Sequence, residues 1–483
     1  MAALRRTLLL LCSLGLAAFL CACGGAVKPS SAVPYHTLPV VSSAKLDTAA
    51  DPAPSGTSSD PAALRPTSTE TASAARETTT AVSSAAVQTD SPASVSESGE
   101  TTETEETEES TPSAEASSET LPYKEIAALY LAGMDERAKL FQLMIVTPEA
   151  ICWDNPVMVP DNQELSSKPV AGLLYQAKNM ESRQQLLKLV EGHQEAAPLP
   201  LFICVDEEGG RVSRIMQTMG TTPIKNMFTY RGDGPEKARK NALTLAQDIR
   251  SFGFNVDFAP VTDVWSNPEN RVIGERAYSD DFNKASLLIA SAVNGFHQGG
   301  VICTLKHFPG HGDTLEDSHD HAALVQKSLE QLRKEEFLPF AAGIKAGADM
   351  VMTGHLMVPD IDPDNLATFS HKIVTDILRE EMGFEGVIIT DALEMGAATS
   401  VSTGGEACLK ALLAGNDLLL CPAGQPENLT ACVDYLLEAI QNSQLSWERV
   451  DESLLRILEL KLRYGILEAE AEVVPETSSD STD

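Results

Sequence analysis

Residues 306–321 read KHFPGHGDTLEDSHDH, with four histidines, three aspartates, a glutamate and a lysine, directly after the apolar run GVICTL. Two chemistries suit such a segment. Metal binding is the first. His307 and His311 are four apart and share a face only in a helix, which the intervening Phe-Pro-Gly prevents. No His-Glu-x-x-His motif occurs in the chain, so neither a metal nor another cofactor is expected. Proton transfer is the second. In Asp-Ser-His, Asp317 and His319 are two apart, and an extended or turn backbone lets their side chains meet. A carboxylate beside an imidazole favours the imidazolium, raises its pKa and fixes its tautomer. Such a group can protonate a leaving oxygen and later take a proton from water. Gly310 and Gly312 are expected to let this loop swing. His311 and His321 have no assigned role.

Other polar residues stand where apolar runs end. Asp206 closes LFICVD and is followed by Glu-Glu-Gly-Gly, then Arg211 and Arg214. These arginines can pair with the carboxylates or donate to a ligand. Asp391 closes GVIITD, as a helix cap or as a functional carboxylate. Asp263, Lys306, His307 and His355 are placed likewise. What holds them is a series of candidate strands at 143–146, 170–175, 200–206, 255–261, 301–307, 349–355, 386–391 and 417–422. Amphipathic stretches separate them. In EKARKNALTLAQDIRSFG apolar residues recur at three- and four-residue steps, and Gly253 falls at the helix C′ position. This pattern predicts an α/β fold, a single (β/α)8 TIM-type barrel, whose functional groups gather at the C-terminal ends of the strands. An open doubly wound sheet is the alternative, but no glycine-rich phosphate loop opens its first helix.

The ends of the chain read differently. Residues 1–22 have a basic start, a short apolar stretch and small residues, the pattern of a secretory leader. LCAC at 20–23 looks like a lipoprotein cleavage box, with Cys23 the residue to be lipidated; an ordinary leader cut near Ala22 is the alternative. Residues 23–120 are nearly all Ser, Thr, Ala, Pro and Glu, a composition that cannot bury enough apolar surface to fold. We expect a disordered tether there, a catalytic domain over 121–467 and a disordered acidic tail over 468–483. The net charge of −33 comes in large part from tether and tail. No Lys/Arg-rich patch points to nucleic acid. The expected location is outside the cell membrane, anchored by lipid, or secreted. Cys152, Cys204, Cys303, Cys408, Cys421 and Cys432 remain in the domain, and buried thiols are expected.

KHFPGHGDTLEDSH followed by ITDALEM resembles the glycoside hydrolase family 3 bacterial β-N-acetylhexosaminidases. VDEEGGRVSR, FAPVTDV and VIGERAYSDD occur in the same family order. The resemblance implies a retaining exo-β-N-acetylglucosaminidase acting on the non-reducing terminal N-acetylglucosamine of peptidoglycan-derived or related glycans. It implies Asp391 as nucleophile and His319, partnered by Asp317, as acid/base. Asp206, Arg214, Arg276, Lys306 and His307 would bind the sugar. The carbohydrate substrate is the partner it implies; the membrane lipid is expected from LCAC alone. Phosphorolysis or β-glucosidase activity within the family, and a surface sugar-binding lipoprotein without catalysis, are the alternatives. Relatives with a second C-terminal domain exist; here the barrel is expected to hold the complete site.

Overall fold

Eight short strands carry the fold: β1 (Met144–Val146), β2 (Gly172–Leu174), β3 (Phe202–Val205), β4 (Val256–Asp257), β5 (Ile302–Phe308), β6 (Met350–Thr353), β7 (Val387–Thr390) and β8 (Leu419–Leu420). The computed structural model describes residues 122–151, 162–315 and 322–469. Each strand overlaps one of the eight expected runs, β5 reaching one residue further to Phe308, and every strand residue is buried. Such runs suit parallel strands covered on both faces. The spatial order follows the chain from β1 to β7, with β8 beside β1. All neighbours are parallel, and Met144–Leu419 and Ile145–Leu420 pair the first strand with the last. A bridge between Ile389 and Leu418 links the ends of the sheet, so it curls into a nearly closed barrel. Helical segments lie between the strands on the outside, consistent with a TIM-type barrel.

The helices follow from local signals. Asp281 caps Phe282–Gly299 by accepting from the Lys284 N–H at 2.7 Å, and Gly300, at φ 69°, ends it. Pro235–Arg250 buries Ala238, Ala242, Leu245, Ala246 and Ile249, one stripe at helical spacing. Its end is a Schellman turn, in which the Gly253 N–H reaches the Arg250 carbonyl at 2.9 Å and the Phe254 N–H the Ile249 carbonyl at 3.4 Å. The expected placement of Gly253 holds.

The junction between β7 and β8 is fastened by Asp417, which is fully buried. Its carboxylate accepts from Arg379 at 2.7 Å, Arg456 and Ser453 at 2.9 Å, and the Ile388 N–H at 3.0 Å. Cys204, Cys303, Cys408, Cys421 and Cys432 are buried thiols. Among the described residues no helix is long and apolar enough to cross a membrane. The leader, the tether, Cys23, Cys152, Asp317, His319, His321 and nearly all of the tail lie outside the described residues.

Candidate active site

The C-terminal ends of the strands open on a cavity of about 730 Å³. Asp206, Arg214, Arg276, Lys306, His307 and Asp391 all line it. These are the sequence-predicted site residues that fall within the described residues.

Its floor is a buried charge network. Lys306 Nζ lies 2.7 Å from Asp206 Oδ1 and 2.8 Å from Glu208 Oε1. Arg276 donates to Glu208 through Nε and Nη2, both at 2.8 Å. Burial alone would push the Glu208 carboxyl up, but Arg276 and Lys306 outweigh it and hold the group well below the usual range. Burial likewise opposes the Lys306 charge, and Asp206 and Glu208 restore and strengthen it. Glu208 was not singled out from sequence. It sits in DEEGG, which reads as a loop, whereas the structure folds Glu207–Gly209 and Val212–Ser213 into a small hairpin. Arg214 follows that hairpin at the start of a short helix. Arg211 turns elsewhere, donating to the carbonyls of Arg271 at 2.9 Å and of Val272.

Two further buried carboxyls are Glu207, in the hairpin itself, and Asp257, in β4. Glu207 accepts from the Ile215 and Met216 N–H groups at 2.7 and 3.1 Å. Burial dominates these bonds and pushes its pKa up to about 7. Burial also raises Asp257 well above the usual range.

His307 is oriented by Asp263. Its Nδ1 is 2.7 Å from Asp263 Oδ2, and its backbone N–H is 3.2 Å from both carboxylate oxygens. Burial would raise Asp263, but His307, His311 and the hydrogen bonds lower it. An ionised carboxylate only accepts, so His307 Nδ1 carries a proton and Nε2 remains for the pocket. The stretch expected to be a hinge is packed instead. His311 is buried, its N–H donates to Asp263 Oδ1 at 2.7 Å, and its carbonyl accepts from Asn270 at 2.8 Å. A Cβ on Gly312 would stand 1.7 Å from the Val264 carbonyl oxygen, and one on Gly310, at φ 127°, 2.5 Å from Glu336 Cγ. These glycines permit close approach rather than swinging. His311 is thereby explained as a fastening of this arm, and burial lowers its pKa to about 4.

Asp391 follows β7. The helix cap considered for it is not formed: the next helix starts at Gly396, with Met395 at its cap. The Asp391 carboxylate instead accepts from the adjacent Ala392 N–H at 2.7 Å and faces the cavity. Burial pushes its pKa up, but His307, His355, that N–H and Lys306 together prevail and keep it below the usual value. His355 Nε2 is 2.9 Å from the Ala392 carbonyl and Nδ1 is 3.0 Å from the Thr368 hydroxyl, so His355 braces the turn that carries Asp391. The other wall holds Glu149 and Lys178, which no motif marked, and Glu394, which lies within ITDALEM but was given no role. Lys178 Nζ is 3.2 Å from Glu149 Oε1. Taken together, the pocket offers an ionised carboxylate with an open face, opposite a fixed array of donors and acceptors suited to a polyhydroxylated ligand.

Residues 137–460 match the family described as the glycosyl hydrolase family 3 N terminal domain. A beta-hexosaminidase of Stenotrophomonas maltophilia K279a is 39% identical over 289 residues, 58% of this chain and 83% of that protein. Beta-hexosaminidase A of Pseudoalteromonas piscicida is 34% identical over 330 residues, 63% of this chain, and the match spans 55% of that longer enzyme. Among solved structures, a family 3 beta-N-acetylglucosaminidase of Paenibacillus sp. FPU-7 superposes with TM-score 0.64 at 34% identity, covering 73% of this chain and 66% of that one. With two thirds of its length matched to one family and that family's structures sharing its barrel, the chain belongs to glycosyl hydrolase family 3.

Proposed function

We propose that the protein is a retaining exo-β-N-acetylglucosaminidase that removes terminal N-acetylglucosamine from wall-derived or related glycans. The observation that carries this reading is Asp391, an ionised carboxylate facing the cavity and held by Ala392 and His355. Its oxygen attacks the anomeric carbon while the bond to the leaving oxygen breaks and His319 donates that oxygen a proton. The resulting glycosyl ester is cleaved when His319, again neutral, takes a proton from water and the water oxygen attacks the same carbon. Asp317 orients His319 and stabilises its charged form. Asp206, Lys306, Arg276, Arg214 and His307 hold the sugar's hydroxyls, and Glu208 fixes Lys306 and Arg276.

The test is release of 4-nitrophenol from the β-N-acetylglucosaminide, with Asp391→Ala without turnover. Faster turnover of the plain β-glucoside would sink the substrate assignment. An imidazole acid/base brings less negative charge near the anomeric carbon than a second carboxylate would, which favours phosphate as a second acceptor. Products formed with and without phosphate separate hydrolysis from phosphorolysis.

The reading extends to the ends of the chain. Residues 1–22 form a lipoprotein leader, Cys23 carries the lipid, 23–120 tether the catalytic barrel of 121–467 outside the membrane, and 468–483 form an acidic tail. Its support is the LCAC sequence and the tether's composition. Labelled palmitate is expected in the wild type and not in Cys23→Ser; label retained in the variant would overturn the anchor.

A further inference from the structure

At the opposite end of the barrel from the pocket, three side chains of different elements converge. His297 stands in the last turn of helix Phe282–Gly299, Cys303 is the second residue of β5, and Asp349 immediately precedes β6. His297 Nε2 is 3.1 Å from Asp349 Oδ2, Cys303 Sγ is 3.8 Å from His297 Nε2, and Cys303 Sγ is 3.7 Å from Asp349 Oδ2. Zinc bonds of about 2.0 Å to oxygen, 2.0–2.1 Å to nitrogen and 2.3 Å to sulfur, set at tetrahedral angles, give ligand–ligand edges of about 3.3–3.6 Å. The three observed edges approach one face of that tetrahedron.

The hydrogen bonding around Asp349 points the same way. Its Oδ2 also receives the Cys303 backbone N–H at 3.1 Å and the Tyr464 hydroxyl at 2.7 Å. These two donors fix the carboxylate's orientation, as partners behind a metal ligand do. Asp349 Oδ1 lies 4.0 Å from Arg463 Nη1. Cys303 and Asp349 are buried, while the His297 side chain is 29% exposed, which leaves a way in.

We propose that His297, Cys303 and Asp349 form a structural site for one divalent cation of the zinc type, with water as fourth ligand. A thiolate and a carboxylate neutralise a dication, so the buried assembly carries no net charge. On binding, the Cys303 thiol proton passes to solvent and the imidazole keeps its proton on Nδ1, leaving Nε2 to coordinate. The site ties helix Phe282–Gly299, β5, β6 and the end of the C-terminal helix. It acts on stability rather than turnover, as expected at the N-terminal face of such a barrel. It is independent of the proposed activity.

The experiment is titration of the full chain, freed of metal, with Co²⁺. The wild type is expected to develop a thiolate-to-cobalt charge-transfer band in the near ultraviolet, saturating at one equivalent. Cys303→Ala should lose that band, and Zn²⁺ should raise the melting temperature of the wild type but not of the variant, with hydrolytic turnover unchanged. If Cys303→Ala does not fold, His297→Gln, at a partly exposed position, should weaken or abolish the band. No band in the wild type, or a band unaltered in the variant that folds, would overturn the site.

Discussion

Arg276 meets Glu208 side-on: Nε and Nη2 each donate to one carboxylate oxygen at 2.8 Å, with both side chains buried. Lys306 shares the same carboxylate from the strand below. The pocket floor is therefore not three independent sugar contacts but one electrostatic unit centred on a glutamate. Removing that glutamate would strand the Arg276 cation and leave Lys306 with Asp206 alone.

Glu208→Ala is expected to cost about 3–5 kcal/mol, a fall in melting temperature on the order of 10 °C. Glu208→Gln should fall less, and both should lose kcat/KM. Thermal melts and 4-nitrophenyl kinetics on the same samples check this. Unchanged kinetics in Glu208→Ala would remove Glu208 from the site.

The pH dependence of stability has two opposed parts. Glu207 is raised from 4.5 to about 7 by burial, so its folded state prefers the proton. Its contribution is intact below the ordinary glutamate value, erodes as pH rises from there, and is lost above about 7, by on the order of 3 kcal/mol. Glu208 is lowered, so its contribution is present above the ordinary value and lost as pH falls below it. Glu207→Gln should thus gain stability at pH 8 relative to pH 5 when melts are compared. An equal shift at both pH values would contradict it.

Asp263→Asn takes away the carboxylate that holds His307 Nδ1 and two backbone N–H groups. Losing charge-assisted bonds of this kind should lower kcat/KM roughly tenfold to hundredfold. The measurement is the kinetic profile of a variant whose fold is verified by circular dichroism.

Gly312→Ala should destabilise strongly, because its Cβ would meet the Val264 carbonyl rather than a movable side chain. Gly310→Ala meets the flexible Glu336 side chain but must also adopt a φ of 127°. Limited proteolysis near residues 310–322 would report the loosened arm. Wild-type behaviour in Gly312→Ala would show that this close packing is dispensable.

His319→Ala should keep reacting with activated aryl glycosides at the first step, since their leaving groups need little protonation. The second step should slow, and azide should restore turnover as the glycosyl azide. No effect of azide would argue that His319 is not the acid/base.

The eight strands were legible because each lies in a largely apolar run; Lys306 and His307 fall near the end of β5, and Asp391 directly follows β7. What escaped was pairing across the chain. Glu208 and Arg276 are 68 residues apart, and nothing in DEEGG distinguishes a buried ion-pair centre from a polar turn. The glycines of FPGHGDT were misread for a related reason: glycine marks both a free backbone and one with no room for a side chain. Only the neighbours Val264 and Glu336 tell which.

The pairing of Met144 with Leu419 also has a consequence for synthesis. A growing chain can lay down β1 to β7 in order, yet the wall formed by Leu420 and Cys421 is still missing. The ring is shut only when Asp417 emerges and collects Arg379, and it is fastened only when Arg456 follows from the terminal helix. A ribosome-bound fragment that stops before Leu419 holds every strand-borne acid and base described above but encloses no sugar site, because the last pairing to form is the one between the barrel's two ends.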